Sequence, residues 1–364
     1  MAEKTYRLIV AGLGNVGRSF LGLLQSQETL LRERYGLAFA VVGAADSGGA
    51  AHDRDGIDPG AILTAKRAGR SVASVAGAGQ AGRTALDLAK TLDADILLEA
   101  TPVNLRDGQP GLDIVRAALG RGISAVLANK GPLALAYAEL AGMSDISKSQ
   151  GSEARDRGGQ LPDPWPLTPA LRFSACVGGA MPTINIGWRD LAGARIERVE
   201  AVLNGTTQGI LRMMEAGASY ADALAEMQRR GLAETDPSLD VEGWDAANKI
   251  VILANAVLLR PSTLADVDVQ GIAKLSAADL QAAAARGERI VLLCLAERAM
   301  GDYRLSVRPT ALPASHPLAR MGGDEMGVVY YTDIAGRLSV TTLERDPVPT
   351  AAAMLRDAID IATH

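Results

Sequence analysis

Residues 6–17 read YRLIVAGLGNVG. The first six, Tyr6 to Ala11, form a short apolar run, the pattern of a buried parallel strand. Gly12-Leu13-Gly14-Asn15-Val16-Gly17 follows, and a helical pattern continues from Arg18 to about Arg34. This is G-x-G-x-x-G between a strand and a helix, the context in which the motif binds a dinucleotide. Gly12 permits the tight turn, Gly14 lets a pyrophosphate approach the backbone, and Gly17 lets helix and strand pack closely. The helix N-terminus, with Asn15 and Val16, then favours phosphate charge. A glycine-rich turn of some other α/β protein is the plain alternative.

Further strands extend this start. Leu37 to Ala44 (LAFAVVGA) reads as the second strand and leads to Asp46. An acid at that strand end suits the ribose hydroxyls of NAD and repels the additional phosphate of NADP. The expected cofactor is therefore NAD or NADP, with NAD favoured. Residues 46–74 read as a loop with one short helix. Asp95 to Ala100 (DILLEA) is a strand ending in Thr101-Pro102-Val103-Asn104. Ser124 to Ala128 is another, ending in Asn129-Lys130. Strand carboxyl ends are where an open α/β sheet binds its ligand. Thr101, Pro102, Asn104 and Lys130 are therefore candidate cofactor residues, and Lys130 is also a candidate to polarise a carbonyl or hold a carboxylate.

Composition narrows the classes. Among 364 residues, 48% are hydrophobic and 4% aromatic, and the formal charge is −5. Without a basic block, no nucleic-acid partner is expected. No apolar run is long enough for a membrane span, so no membrane is expected. Cys176 and Cys294 lie in apolar surroundings and point to buried thiols in a reducing, cytoplasmic compartment. His52, His316 and His364 are scattered too widely for a triad or a His-based metal site.

The segment 144–169, rich in Ser, Gly, Asp and Pro, reads as a surface loop or linker. Arg172 to Pro182 (RFSACVGGAMP) reads as a strand running into Gly178-Gly179. Ile196 to Leu203 is a strand ending in Asn204-Gly205-Thr206-Thr207, and Tyr220 to Arg230 is a helix. Four later strands begin near Arg289, Tyr303, Gly327 and Arg337, the last two as a hairpin over 333–336. They make a mixed α+β sheet apart from the first. A final helix, Thr350 to Ala362, needs a face to bury and is expected to return to the first domain.

Residues 231–249, GLAETDPSLDVEGWDAANK, crowd Glu234, Asp236, Asp240, Glu242, Asp245 and Lys249 ahead of an apolar helix. Asp245 and Lys249, at i and i+4, share a helix face. A polar loop capping the helix would account for this stretch in isolation. Acids next to a helix bound for a core are costly unless they hold something.

Taken together, GLGNVG, TPVNL, ANKGPLA, VGGAMP, LNGTT and GLAETDPSLDVEGWDAANKIVIL occur in the order found in homoserine dehydrogenases, which the chain resembles over nearly its whole length. The resemblance implies an α/β architecture: a Rossmann dinucleotide-binding domain (1–143 and 345–364), a surface loop (144–170), and an α+β catalytic and dimerisation domain with a mixed sheet (171–344). It implies reversible NAD(P)-dependent interconversion of L-homoserine and L-aspartate 4-semialdehyde, within threonine and methionine biosynthesis, by a homodimer. Lys249 and Lys130 match the family's active-site lysines, Lys249 as proton donor. Glu234, Asp240 and Asp245 match its substrate acids, with Gly205 and Thr206 at the polar turn. The physical reading agrees. An ammonium needs carboxylates, a carboxylate needs a cation, and a lysine can stabilise and protonate the oxygen that gains charge.

Three departures stand beside the match. Where the family has a Glu three residues before VGG, this chain has Ser174, which weakens the expected Na+ or K+ site at the backbone of Val177, Gly179 and Met181. Residues 344–349 (ERDPVP) replace a Gly-rich loop. No regulatory domain is expected after the catalytic part. Rival readings are a dehydrogenase of another small amino or hydroxy acid, an acylating aldehyde dehydrogenase that would need an activated Cys, and a nucleotide-sensing Rossmann protein without activity.

Overall fold

The computed structural model describes residues 3–146, 168–230, 232–233 and 236–364. The expected 144–170 loop lies almost wholly outside the described residues, and so does Glu234. Two compact units emerge: Met1–Cys176 with Pro347–His364, and Val177–Asp346.

The first unit is α/β with a Rossmann core. Its parallel strands are β1 (Lys4–Ala11), β2 (Leu37–Asp46), β5 (Ile96–Glu99), β6 (Ser124–Leu127) and β7 (Leu171–Arg172). The sheet order is β4-β3-β2-β1-β5-β6-β7. Apolar runs buried on both faces make the central strands, as in β1, whose last four residues are all buried. The helices include α1 (Asn15–Ser26), α2 (Pro59–Arg67), α3 (Ala85–Thr91), α4 (Gly111–Leu119) and α5 (Gly131–Gly142). On α1 the buried stripe is Gly17, Phe20, Leu21 and Leu24, the spacing of one helix face.

Three details depart from expectation. Strands β3 (Gly49–His52) and β4 (Gly79–Ala81) pair antiparallel at the edge beyond β2. Built of Gly, Ala, Gln and His, they show no alternation to read. The first helix breaks at Gln27, at φ −105°, and the helical path expected to about Arg34 resumes as a short turn, Glu28–Leu30, and a π-helix, Leu31–Tyr35. The strand expected from Arg172 ends there, and a 3-10 turn, Ser174–Cys176, follows. The Ser174 amide donates to Asp357 Oδ2 at 2.8 Å instead of continuing a ladder.

The second unit carries a six-stranded sheet of order β13-β12-β8-β10-β11-β9. Its strands are β8 (Ile196–Val202), β9 (Val267–Val269), β10 (Glu288–Ala299), β11 (Asp302–Pro313), β12 (Glu325–Thr332) and β13 (Arg337–Leu343). Its longer helices are α6 (Gly205–Glu215), α7 (Tyr220–Arg229), α8 (Trp244–Ala256) and α9 (Ala277–Ala285). Helix α8 is buried nearly all round, Ile250 through Ala254 without exception, which makes it a core helix.

The terminal helix α10 (Val348–Thr363) belongs to the first unit. Ala351, Met354 and Ala358 join the cluster of Phe20, Leu21 and Leu24, and the Tyr6 hydroxyl donates to the Ala362 carbonyl at 2.6 Å. Small residues on that face allow close approach. Asp357 is buried there, and Ser174 donates to it through its amide and, at 2.7 Å, its hydroxyl. A carboxylate thus reaches the place where the sequence lacks the expected Glu.

Burial pushes the Asp357 carboxyl up to about 6, against the pull of the Ser174 donors. The sign follows from linkage. A carboxyl whose folded pKa is raised keeps its proton longer folded than unfolded, so its stabilising contribution fades as pH rises from about 4 to about 6. Asp357→Asn keeps the shape and removes the titration. Its stability relative to the parent is expected to rise across that interval by a few kcal/mol, measured by urea unfolding at pH 4 and pH 7. A constant difference would count against the assignment.

Candidate active site

In the second unit one residue draws the polar groups together. Asn204 follows β8 and caps α6, its Oδ1 accepting from the Thr207 amide at 2.8 Å. Its Nδ2 donates to Asp240 Oδ1 at 2.6 Å and to Asp245 Oδ2 at 2.8 Å. Ionised carboxylates only accept, so the amide orientation is forced. Gly243, at φ +89°, starts α8 and leaves Asp245 in its first turn, where the helix dipole favours negative charge.

Lys249 lies one turn further on. Its ammonium donates to the Leu203 carbonyl at 2.6 Å and to Asp245 Oδ2 at 2.7 Å. The Lys249 and Asp245 side chains are only 14% and 11% exposed. An ammonium has three donors. With two engaged by described residues, one remains for an incoming oxygen. The structure therefore brings Asp240, Asp245 and Lys249 together. Asn204, which joins them, stands in the sequence only as part of a polar turn. Its signal was an Asn directly before a helix, which reads as a cap. Gly205 opens α6 with free space on its Cβ side, and the Thr206 hydroxyl donates to the Leu232 carbonyl at 2.9 Å.

Both cysteines are free and buried, as their surroundings imply. Burial pushes the Cys294 thiol up to about 12 although Lys249 pulls the other way. Cys176 sits in the turn after β7 with its thiol towards the Leu127 carbonyl at 3.3 Å. Neither thiol is an exposed, activated nucleophile, so the acylating alternative falls.

In the first unit, the glycine turn has the shape that a pyrophosphate needs. Gly12 has φ +93°, and a methyl there would enter the Ala100 carbonyl. A Cβ at Gly17 would strike the Gly12 carbonyl, whereas one at Gly14 meets nothing within 4 Å. Gly14 is the N-cap of α1, which has no side-chain cap and no acid in its first turn. The amides after Gly14, at Asn15 and Val16, open the helix and have no intrahelical acceptor.

The remaining residues expected at the cofactor are differently engaged. Asp46 at the end of β2 is surrounded by donors: Lys66 Nζ and Ser71 Oγ at 2.6 Å, and the amides of Val72 and Gly48 at 2.9 Å. Burial works against its charge, yet these donors hold its carboxyl below the ordinary value. Asn104 organises its own loop, donating to Asp107 Oδ1 at 2.7 Å and accepting from the Arg106 amide at 3.0 Å. Pro102 is exposed, and Lys130 is the half-buried N-cap of α5. Thr101 is bonded to Glu99, a buried acid that sequence reading passed over inside an apolar strand.

Of the backbone groups proposed for a monovalent cation, the Met181 carbonyl accepts from the Thr183 amide at 2.8 Å. The Cα face of Gly179, at φ +59°, is covered by the Glu344 carboxylate. Among the described residues, no group of three or more His, Cys, Asp or Glu gathers for a metal ion, and no helix is long and apolar enough to cross a membrane.

The fold recurs in known proteins. The family profile described as homoserine dehydrogenase matches residues 182–359. The homoserine dehydrogenase of Methanocaldococcus jannaschii is 36% identical over 97% of this chain and 98% of its own length. The chain belongs to the homoserine dehydrogenase family. It is therefore an NAD(P)-dependent oxidoreductase acting on a CH–OH group. Another relative, the NAD(+)-dependent homoserine dehydrogenase of Pseudomonas canavaninivorans, is 32% identical over 98% of this chain and 96% of its own. The homoserine dehydrogenase of Corynebacterium glutamicum is 34% identical, and the match spans 72% of its length. Among solved structures, the homoserine dehydrogenase of Thiobacillus denitrificans superposes with a TM-score of 0.80 at 27% identity, over all of this chain and 74% of that one.

Proposed function

We propose that Lys249 is the acid and base in the reversible NAD(P)-dependent interconversion of L-homoserine and L-aspartate 4-semialdehyde, the reaction assigned to the chain by its family. The observation that carries this is the Lys249 ammonium, buried against Asp245 and the Leu203 carbonyl with a donor to spare. In the reducing direction, the aldehyde oxygen gains negative charge. Lys249 stabilises it and donates a proton, which leaves a hydroxyl. In the oxidising direction, a neutral Lys249 takes the hydroxyl proton. The nicotinamide, when bound, supplies or accepts the hydride at carbon.

Asp240 and Asp245, splayed around the Asn204 amide, offer the substrate's ammonium charge-assisted hydrogen bonds, and Glu234 is assigned with them. Lys130, capping α5, contributes a second ammonium for the substrate's carboxylate or carbonyl. The glycine turn over α1 holds the pyrophosphate. The test is an assay of homoserine-dependent NAD(P)H formation. An enzyme that binds the nucleotide but forms no NAD(P)H with homoserine would remove this reading. Turnover confined to another hydroxy acid would replace the substrate.

The nucleotide preference turns on Asp46. We assign its carboxylate to discrimination against the NADP phosphate, by charge at the strand end. Asp46→Ala removes that charge and releases the Lys66 ammonium, its 2.6 Å partner. The ratio of kcat/KM for NADP to that for NAD is expected to rise about tenfold, the equivalent of about 1.4 kcal/mol. An unchanged ratio would move the discrimination elsewhere.

We further assign a homodimer built on the second unit's sheet and a reducing, cytoplasmic setting. Leu295 and Tyr331, only partly buried at the margin of the Val329–Leu318–Met321 cluster, support the first. The two buried free thiols support the second. A monomer in sedimentation velocity would remove the dimer.

A further inference from the structure

Glu99 ends β5 with no exposed surface. Strand alternation explains the side it occupies. Ile96 and Leu98 enter the cluster that holds α1 and α10, so Leu97 and Glu99 point to the other layer, towards α4. A charged group in that position needs a reason, because burial of a carboxylate is costly.

Its partners supply one. The Thr101 amide donates to Glu99 Oε1 at 3.0 Å, and the Thr101 hydroxyl donates to the same oxygen. Asn129, after β6, donates to the Thr101 hydroxyl oxygen at 3.2 Å, and its amide favours the charged form of Glu99. On its other side, Asn129 Oδ1 accepts from the Gly131 amide at 2.9 Å, which closes the turn over Lys130. Gly111, at the start of α4, completes the enclosure: a Cβ there would press on the Asn129 amide and Glu99 Oε1. Glu99 Oε2 has no hydrogen-bond partner among the described residues. One carboxylate thus anchors a directional chain of donors that links the ends of two neighbouring strands.

We propose that Glu99 is a positioning residue for the reaction, setting through Thr101 and Asn129 the two turns that carry Thr101–Asn104 and Lys130. This rests on the assignment of those turns to nucleotide and substrate. Glu99 touches neither itself. Its action is to hold the Thr101 amide and hydroxyl and the Lys130 turn in register with each other. Two strand ends that moved independently would lose this.

The setting also makes the network sensitive to protons. The groups facing the carboxylate are Thr101, Asn129 and Gly111, all uncharged, and burial pushes the carboxyl up to about 7. Ionised, Glu99 accepts every donor aimed at it. Protonated, it holds them more weakly, so the turns are best ordered on the alkaline side of neutrality.

Two variants separate positioning from bulk stability. Glu99→Gln keeps an acceptor at Oε1 but cannot titrate. It is expected to keep kcat within threefold and to lose the change in NAD(P)+ KM that the parent shows between pH 6 and pH 8. Glu99→Ala removes the acceptor, and folded enzyme is expected to show at least a tenfold rise in nucleotide KM together with at least a tenfold fall in kcat. Rescue of both by Gln supports positioning. A folded Ala variant with both constants within twofold of the parent, at whatever melting temperature, overturns it. If the Ala variant does not fold, Asn129→Leu decides. That change leaves the Thr101–Glu99 bonds but cuts the link to Lys130, so kcat should fall at least tenfold with a smaller effect on nucleotide KM, and an unchanged kcat overturns the proposal. The parent enzyme is the control. No homoserine-dependent NAD(P)H formation by the parent faults the assigned reaction, whereas variants equal to an active parent fault Glu99 alone.

Discussion

Lys249→Ala is expected to lower kcat for homoserine oxidation by about 10³-fold or more, the upper part of the range for loss of a positioned acid or base. The affinity for NAD(P)+, measured by fluorescence titration, should stay within twofold, because the glycine turn proposed to hold the nucleotide lies in the other unit. The variant also leaves Asp245 without its 2.7 Å cation inside a nearly closed site. A buried carboxylate that loses its ion-pair partner is held less favourably, so the melting temperature should drop too. Asp245 keeps the Asn204 amide, which limits that loss. Arg at 249 should not restore turnover. A guanidinium is larger and does not give up its proton. Turnover near the parent value in either variant would exclude Lys249 as the acid and base.

Gly12→Ala is expected to remove nucleotide binding altogether. The backbone there has φ +93°, which costs an L-residue about 1–2 kcal/mol. The added methyl also collides with the Ala100 carbonyl and Thr101 amide. These are backbone atoms at the end of β5, so a side-chain rotation cannot relieve the clash. Either β1 and β5 separate or the turn opens, and both displace the amides of Asn15 and Val16. A stability loss of about 3 kcal/mol or more and at least a hundredfold weaker nucleotide binding should accompany each other. Gly14→Ala is the contrast. Its Cβ meets no protein atom within 4 Å, so stability should be retained while binding weakens through the space that a pyrophosphate would use. Equal melting temperatures for Gly12→Ala and Gly14→Ala would refute this account of the turn.

Much of this was legible because strong local signals coincided with tertiary need. The run YRLIVA had to be a buried strand, and the three glycines mark the places where a Cβ is least tolerated or open space is required. Asp245 and Lys249 are four apart, and helix geometry alone brings them together. The invisible parts are those whose reasons lie far away in the chain. Asn204 reads as a cap, and its grip on Asp240 and Asp245 spans 36 and 41 residues. Glu99 is hidden because a single acid in DILLEA looks like a strand-end accident until Asn129 and Gly111 enclose it. Ser174 reads as a missing carboxylate, and only the fold shows Asp357 arriving from 183 residues away. Asp46 was expected at a strand end to meet ribose. Its engagement by Lys66 and Ser71 depends on a loop whose edge strands, made of small residues, carry no pattern.

The placement of α10 bears on the order in which the molecule is made. The Tyr6–Ala362 bond closes a span of 356 residues, and the whole of 177–346 lies within it as one contiguous unit. Synthesis proceeds from the N-terminus, so α1 and most of the contiguous unit emerge before α10 does. Contacts of such long separation form slowly. Until the helix docks, Phe20, Leu21 and Leu24 of α1 lack the side chains of Ala351, Met354 and Ala358 that cover them in the finished structure. The nascent first unit therefore waits with an apolar flank open to the cell. That interval is when a chaperone has most to bind.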